Sequence, residues 1–218
     1  APAAGNQLGV EVAGTALAWT DTGHENYFIQ EYTMSNTTAF DLMNIYPALH
    51  ADWDVDSWNA NIVYYDAERH MGVAYFPGGN YAAIRLLTDT NSTNFYALNN
   101  DGADGSMSTY DGFSQAEQFT AASGGLQRIS AATGDISVVI GSGPLTIPSN
   151  DSSFVAFAII VGTDSASVAA SADSAAAKYN DRRRIEMNFT AIENTLCNSS
   201  CNGSASVSSS FGVEPYSY

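Results

Sequence analysis

The chain has 218 residues, 45% of them hydrophobic and 11% aromatic, which is enough for a packed core and excludes a disordered chain. Twenty-three acidic residues against seven basic ones give a formal charge of −16, which excludes a nucleic-acid footprint and disfavours attraction to anionic lipid. Only 14% of residues are charged, so Asn, Ser, Thr and Gly must cover much of the surface, and its acidity suits divalent cations.

The opening Ala-Pro-Ala-Ala-Gly is compatible with a mature N-terminus left after removal of a secretion signal. Period-2 alternation then predicts strands over Tyr27–Met34, Leu42–Val55, Met71–Phe76, Tyr81–Leu87, Asn94–Leu98 and Ile136–Ile140. Phe154–Val161 is apolar on both faces, the pattern of a central strand covered on each side. Turn residues separate these runs at Asp21–Gly23, Pro77–Gly79, Asn100–Gly102, Gly141–Pro144 and Ser149–Asp151. One substantial helix is expected near 164–179, capped by Asp164, with Val168, Ala172, Ala175 or Ala176, and Tyr179 forming a buried stripe. A shorter helix is expected around Ser114–Ala122, and a further strand over Met187–Glu193.

These elements predict an all-β, mostly antiparallel β-sandwich of ten or more strands over residues 1–193. Residues 194–218 are expected to be a Cys-containing, Ser-rich tail, with the stretch after Cys201 a flexible linker. No run reaches eighteen apolar residues, so no membrane-spanning helix is expected.

Several segments in order carry a resemblance: Ala48–Val55, Tyr65–Tyr75, Asn99–Gly105, Asp111-Gly-Phe113, Val155–Gly162 and Ser171–Tyr179. From about Trp19 to Tyr179 the chain resembles a β-rich region downstream of subtilisin-like protease domains in large exported proteins of the Bacteroidota type. Many of those proteins carry a type IX secretion signal. The resemblance implies a secreted or cell-surface accessory region rather than the protease, with neighbouring domains or surface proteins as partners.

Residues able to carry chemistry are few in kind. His24, His50 and His70 are scattered, and neither His-Glu-x-x-His nor Gly-x-Ser-x-Gly occurs. Asp52, Asp54 and Asp56 alternate near a strand end, and Asn99, Asn100, Asp101 and Asp104 occupy a Gly-punctuated loop. Closely spaced oxygen donors of this kind suit a structural calcium ion, with Asp52, Asp54, Asp56, Asn100, Asp101 and Asp104 as the candidate ligands. The competing account is Asx-turn chemistry, in which the side chains cap their own backbone. Trp19 and Trp53 are assigned to the core, whereas Trp58, in Asp-Ser-Trp-Asn, is the candidate ligand-stacking residue.

Cys197 and Cys201, four apart with no further metal ligand nearby, are expected to form a small-loop disulfide. Sequons for N-glycosylation occur at Asn36, Asn91, Asn150, Asn188, Asn198 and Asn202. The resemblance also brings Asp164-Ser-Ala166 and Asp173-Ser-Ala175 into view as O-glycosylation acceptors, for which helix capping and surface polarity are the plainer account.

Taken together, the residues point to a non-catalytic structural or adhesive module outside the cell, stabilised by calcium and open to self-association through a sheet edge. A carbohydrate-binding module is the alternative, to be recognised by exposed aromatics. A carboxylate-based hydrolase is the third reading, to be recognised by two convergent carboxylates in a cleft.

Overall fold

The structure, a computed structural model, describes residues 8–183, 186–193 and 204–210. The chain divides into two compact units, Ala1–Ala175 and Ala176–Tyr218. In chain order the first unit holds β1 (Val10–Leu17), β2 (Tyr27–Asn36), β3 (Leu42–Ile45), β4 (Ala48–Trp53), β5 (Asn61–Asp66), β6 (Met71–Tyr75), β7 (Tyr81–Leu86) and β8 (Thr93–Asn99). Helix α1 (Gln115–Ser123) follows, then β9 (Leu126–Arg128), β10 (Ser130–Gly134), β11 (Ile136–Ser142), β12 (Leu145–Ile147) and β13 (Ser152–Gly162). Helix α2 (Ser165–Arg183) begins in this unit, and the second unit holds the antiparallel pair β14 (Glu186–Glu193) and β15 (Ser204–Ser210).

The fold is therefore mostly β, with largely antiparallel sheets and two α-helices. A seven-stranded sheet runs β1-β2-β13-β7-β6-β5-β10, a four-stranded sheet runs β4-β11-β8-β9, and β12 pairs with β3. The β8–β9 pairing is parallel.

Each element has a local cause. Helix α1 starts at a capping box: the Ser114 hydroxyl accepts the Glu117 N–H, while the Glu117 carboxylate accepts the Ser114 N–H at 2.8 Å. Helix α2 starts where Asp164 accepts the Ser167 N–H at 2.7 Å, and Val168, Ala172, Ala175 and Tyr179 are buried. The expected run Leu42–Val55 is broken in two, because Pro47 has no N–H to donate and Asn44 takes a left-handed φ of 58°. Ser204–Ser210, expected as linker, is instead a strand paired with Glu186–Glu193.

Strand β13 is central, with β2 on one side and β7 on the other. Its Val155 and Phe157 point into a cluster that also holds Val63, Leu86, Phe95, Val138 and Ile140, drawn from both larger sheets. On the opposite face Ala158 is paired with Arg85, whose guanidinium meets Asp173 of α2 at 2.8 Å. Arg69 meets the same carboxylate at 3.0 Å. Burial pushes the Asp173 carboxyl up, but the two guanidiniums outweigh it and hold it below the usual carboxylate range. Half of Asp173 remains in water, so these pairs fix the helix on the sheet more than they stabilise it.

Two polar details matter later. Asn36 is buried, and its amide donates to the carbonyls of Phe40, Ile147 and Pro148 at 2.8–3.1 Å, tying the end of β2 to the loop beyond β12. This side chain, one of the six sequons, is a structural brace in the folded chain. Among the described residues, no helix is long and apolar enough to cross a membrane.

The two larger sheets approach closely at Gly72 of β6. A Cβ there would lie 2.5 Å from the Phe95 ring of β8, and the same ring packs on Tyr65 at a centroid distance of 4.9 Å. Gly72→Ala is expected to cost about 1–3 kcal/mol through overpacking. Phe95→Ala is expected to cost about 3–5 kcal/mol through loss of buried surface and a cavity. In the double variant the added methyl meets no ring, so its loss, measured by urea unfolding, should be smaller than the sum of the two. Strictly additive losses would show that the ring and the backbone at 72 do not compete for space.

Candidate functional site

At one end of the first unit, two loops and a strand end converge on a groove of about 530 Å³ lined by Trp58, Asn59, Asn99, Asp101, Tyr110 and Asp135, among others. Two of its aromatics stand in solvent, Trp58 at 56% exposure and Tyr110 at 64%.

The turn that presents Trp58 follows β4 and is pinned from beneath. Fully buried Asn61 accepts the Val55 N–H at 2.9 Å and donates to the carbonyls of Val55 and Ser57 at 2.7 and 3.0 Å. Asp56, at a left-handed φ of 55°, accepts the backbone and side-chain N–H groups of Asn80 at 2.7 and 2.8 Å. The backbone N–H and then the amide of Asn80 hold the Asp56 carboxyl below its usual range.

The facing loop, residues 99–112, is organised around Asn100, which is 1% exposed. Its amide donates to Asp52 and Asp135, each at 2.8 Å, and its side-chain oxygen accepts the Ser137 hydroxyl at 2.6 Å. Its backbone carbonyl accepts the Thr109 N–H at 2.9 Å and the Ser108 hydroxyl at 3.1 Å. Tyr110 donates its hydroxyl to Asp135 at 2.6 Å, and this bond pushes the phenol up to about 12. The ring is thereby held against the groove wall as a neutral phenol at any physiological pH.

Asn99, the residue before Asn100, also lines the groove. It is only 7% exposed, and its backbone N–H and carbonyl are satisfied by the Ser106 hydroxyl. Its side-chain amide occupies the space beside Gly134, where a Cβ would come within 2.7 Å of Nδ2. Both residues line the groove.

The six expected calcium ligands fall into separate groups. Asp52 accepts Asn100 and Ser137, and Asn100 is the buried brace. Strand β4 ends at Trp53, so period-2 alternation does not extend to the other two carboxylates. Asp54 and Asp56 both line a separate groove, where Asp56 is bound to Asn80. In the loop, Asp101 and Asp104 form the Asx turns weighed against calcium, accepting the N–H groups of Ala103 and Ser106 at 2.8 and 3.0 Å. Asp104 also pairs with Arg128 at 2.7 Å. Among the described residues, no three His, Cys, Asp or Glu side chains are placed to hold a metal.

Trp58 is exposed, as the sequence suggested. Trp53 is half-buried against the main core cluster, and Trp19 is half-buried beside Tyr27 at a ring separation of 5.9 Å. Cys197 and Cys201 lie outside the described residues. Tyr110, Asp135 and Asn59 were missed from the sequence. The turn signal Tyr110-Asp-Gly112 and the adjacency of Asn59 to Trp58 were the available hints.

No family model and no curated protein matches this chain. The site must be judged on its geometry.

Two expectations follow. Because the Asp56 pKa is depressed by folding, its contribution is present above the unfolded carboxylate pKa and is lost as pH falls through the folded value. Asp56→Asn should therefore lower the thermal midpoint by a few degrees at neutral pH and match the parent chain in acid. A midpoint difference independent of pH would show that the charge is not what holds the turn. Chelation, in turn, should leave the midpoint unchanged, because Asp52, Asp56 and Asp104 already serve protein donors. A midpoint lowered by EDTA and restored by calcium would show the loops rearranging around an ion.

Proposed function

We propose that this chain is a non-catalytic, extracellular β-sandwich module that binds glycans through the Trp58–Tyr110 groove. The sandwich reading is supported by the core cluster, which draws side chains from the seven-stranded and the four-stranded sheets alike. The observation that carries the binding reading is a groove bordered by two exposed aromatic rings, Trp58 and Tyr110, with the Asn99 side chain in its lining.

Sugars present both chemistries such a groove offers. Their axial C–H faces stack on indole and phenol rings, and their hydroxyls both donate and accept. A side-chain amide has two donors and an acceptor, so Asn99 can meet a pair of neighbouring hydroxyls. The braces at Asn61 and Asn100 keep the groove in shape before the ligand arrives, which lowers the ordering cost of binding. The carboxylates act as acceptors toward protein donors, which supports an adhesive role over hydrolysis.

Self-association is a second, separate element of this proposal. Strand β1 lies at one end of the seven-stranded sheet with most of its residues exposed, and Glu11 is its only charged residue. It lacks the Lys or Pro that commonly protects such an edge.

Titration with a panel of oligosaccharides, followed by tryptophan fluorescence and calorimetry, tests the glycan reading. Trp58→Ala should weaken binding about tenfold, the equivalent of ~1.4 kcal/mol of stacking, at an unchanged thermal midpoint. Binding untouched by Trp58→Ala, or absent across the panel, would sink it.

A further inference from the structure

Strand β1 ends the seven-stranded sheet, and its ladder with β2 fixes which of its backbone groups are left over. Val10–Leu17 pairs with β2 residue by residue, without a bulge. The Thr37 N–H donates to the Gly9 carbonyl at 2.9 Å, one step beyond the Val10–Asn36 pair. Hydrogen bonds of an antiparallel ladder recur at every second residue, so Glu11, Ala13, Thr15 and Leu17 turn their N–H and C=O groups to β2. Val10, Val12, Gly14 and Ala16 turn theirs away, and among the described residues no strand pairs with that side.

We infer that β1 pairs antiparallel with β1 of a second copy, about a two-fold axis between the two Ala13 residues; this rests on the self-association reading above. The pairing joins two seven-stranded sheets into one. Only residues that turn outward on both strands can exchange hydrogen bonds, which rules out every register that sets an outward residue against an inward one. Of the rest, one pairs all four outward residues: Val10 meets Ala16 of the second copy, and Val12 meets Gly14. Sliding either way leaves Val10 or Ala16 without a partner in the strand. A second copy supplies by symmetry a match that an unrelated strand would have to reach by chance.

The side chains agree with this register. Val12, 63% exposed, stands opposite the bare backbone of Gly14 and diagonal to its own counterpart. Glu11 faces Thr15, roughly 14 Å along the strand from the other Glu11. That exceeds the screening length of about 8 Å in physiological salt. Each copy carries a charge of −16, so the copies repel at long range and pairing tightens as salt screens the repulsion.

The test is sedimentation equilibrium of the full chain up to about 0.5 mM, a range suited to a small interface. The mean mass should climb from one chain toward two, and further in about 0.5 M salt than in about 0.05 M. Val12→Pro removes an outward N–H that β2 does not use, so it should abolish dimers while barely moving the thermal midpoint. Ala13→Glu sets like charges face to face on the axis and should weaken dimers about fivefold, as should Ala13→Lys. An equal mixture of those two variants should recover at least the parent affinity. Both leave the backbone groups of residue 13 paired with β2, so they decide the matter even where Val12→Pro fails to fold.

A mean mass that stays at one chain in both salts overturns the register and the self-association reading together. Dimers that survive Val12→Pro and Ala13→Glu overturn pairing at this edge and leave self-association through another surface. Weakening by both charged variants without recovery on mixing overturns the two-fold register at Ala13.

Discussion

The distance between the two larger sheets is set where the Phe95 ring lies against bare backbone at Gly72. A side chain on β6 at that point would push β8 away. With β8 would go β11 and β4, to which it is joined through its hydrogen-bonded ladder. Much of the groove hangs from those strands: Asn99 ends β8 and Asn100 follows it, Asp135 precedes β11, and the Trp58 turn follows β4. A missing methyl group in the core therefore positions a site at the edge of the fold.

Buried asparagines hold the loops that leave this frame. Asn36, Asn61 and Asn100 each sit at the base of a connection, with an amide hydrogen-bonded to groups that regular pairing cannot reach. Asparagine suits this work because one planar group both donates and accepts.

Much of the architecture was legible in the sequence, because strands such as Tyr27–Asn36 and Ser152–Gly162 carry large apolar residues whose alternation or continuity reports burial directly. Strand β1 was not, since Val10–Leu17 is built of small and polar residues and has little buried surface on either face. Strand β5 escaped for the opposite reason: Ile62, Val63, Tyr64 and Tyr65 put apolar groups on both faces and hide the period. At the site, Trp58 stood out by composition and by its polar neighbours. Tyr110 and Asp135 did not, because they meet only through a hydrogen bond between distant parts of the chain. Where the side chains of the acidic runs go was not legible, because it depends on convergence. Asp52 turns to Asn100, while Asp54 and Asp56, beyond the end of β4, line a separate groove where Asp56 meets Asn80.

The brace at Asn36 bears on how the protein can be made. Its side-chain nitrogen gives hydrogen bonds to three carbonyls in a site closed to solvent, yet Asn36-Thr-Thr is also an acceptor for oligosaccharyltransferase. That enzyme meets the nascent chain before β12 has been synthesised to cover the amide. A sugar attached then would take the nitrogen's proton and occupy the place of the loop beyond β12. Secretion through a eukaryotic glycosylating pathway therefore sets modification in direct competition with folding at this one residue, and a host lacking that enzyme removes the conflict.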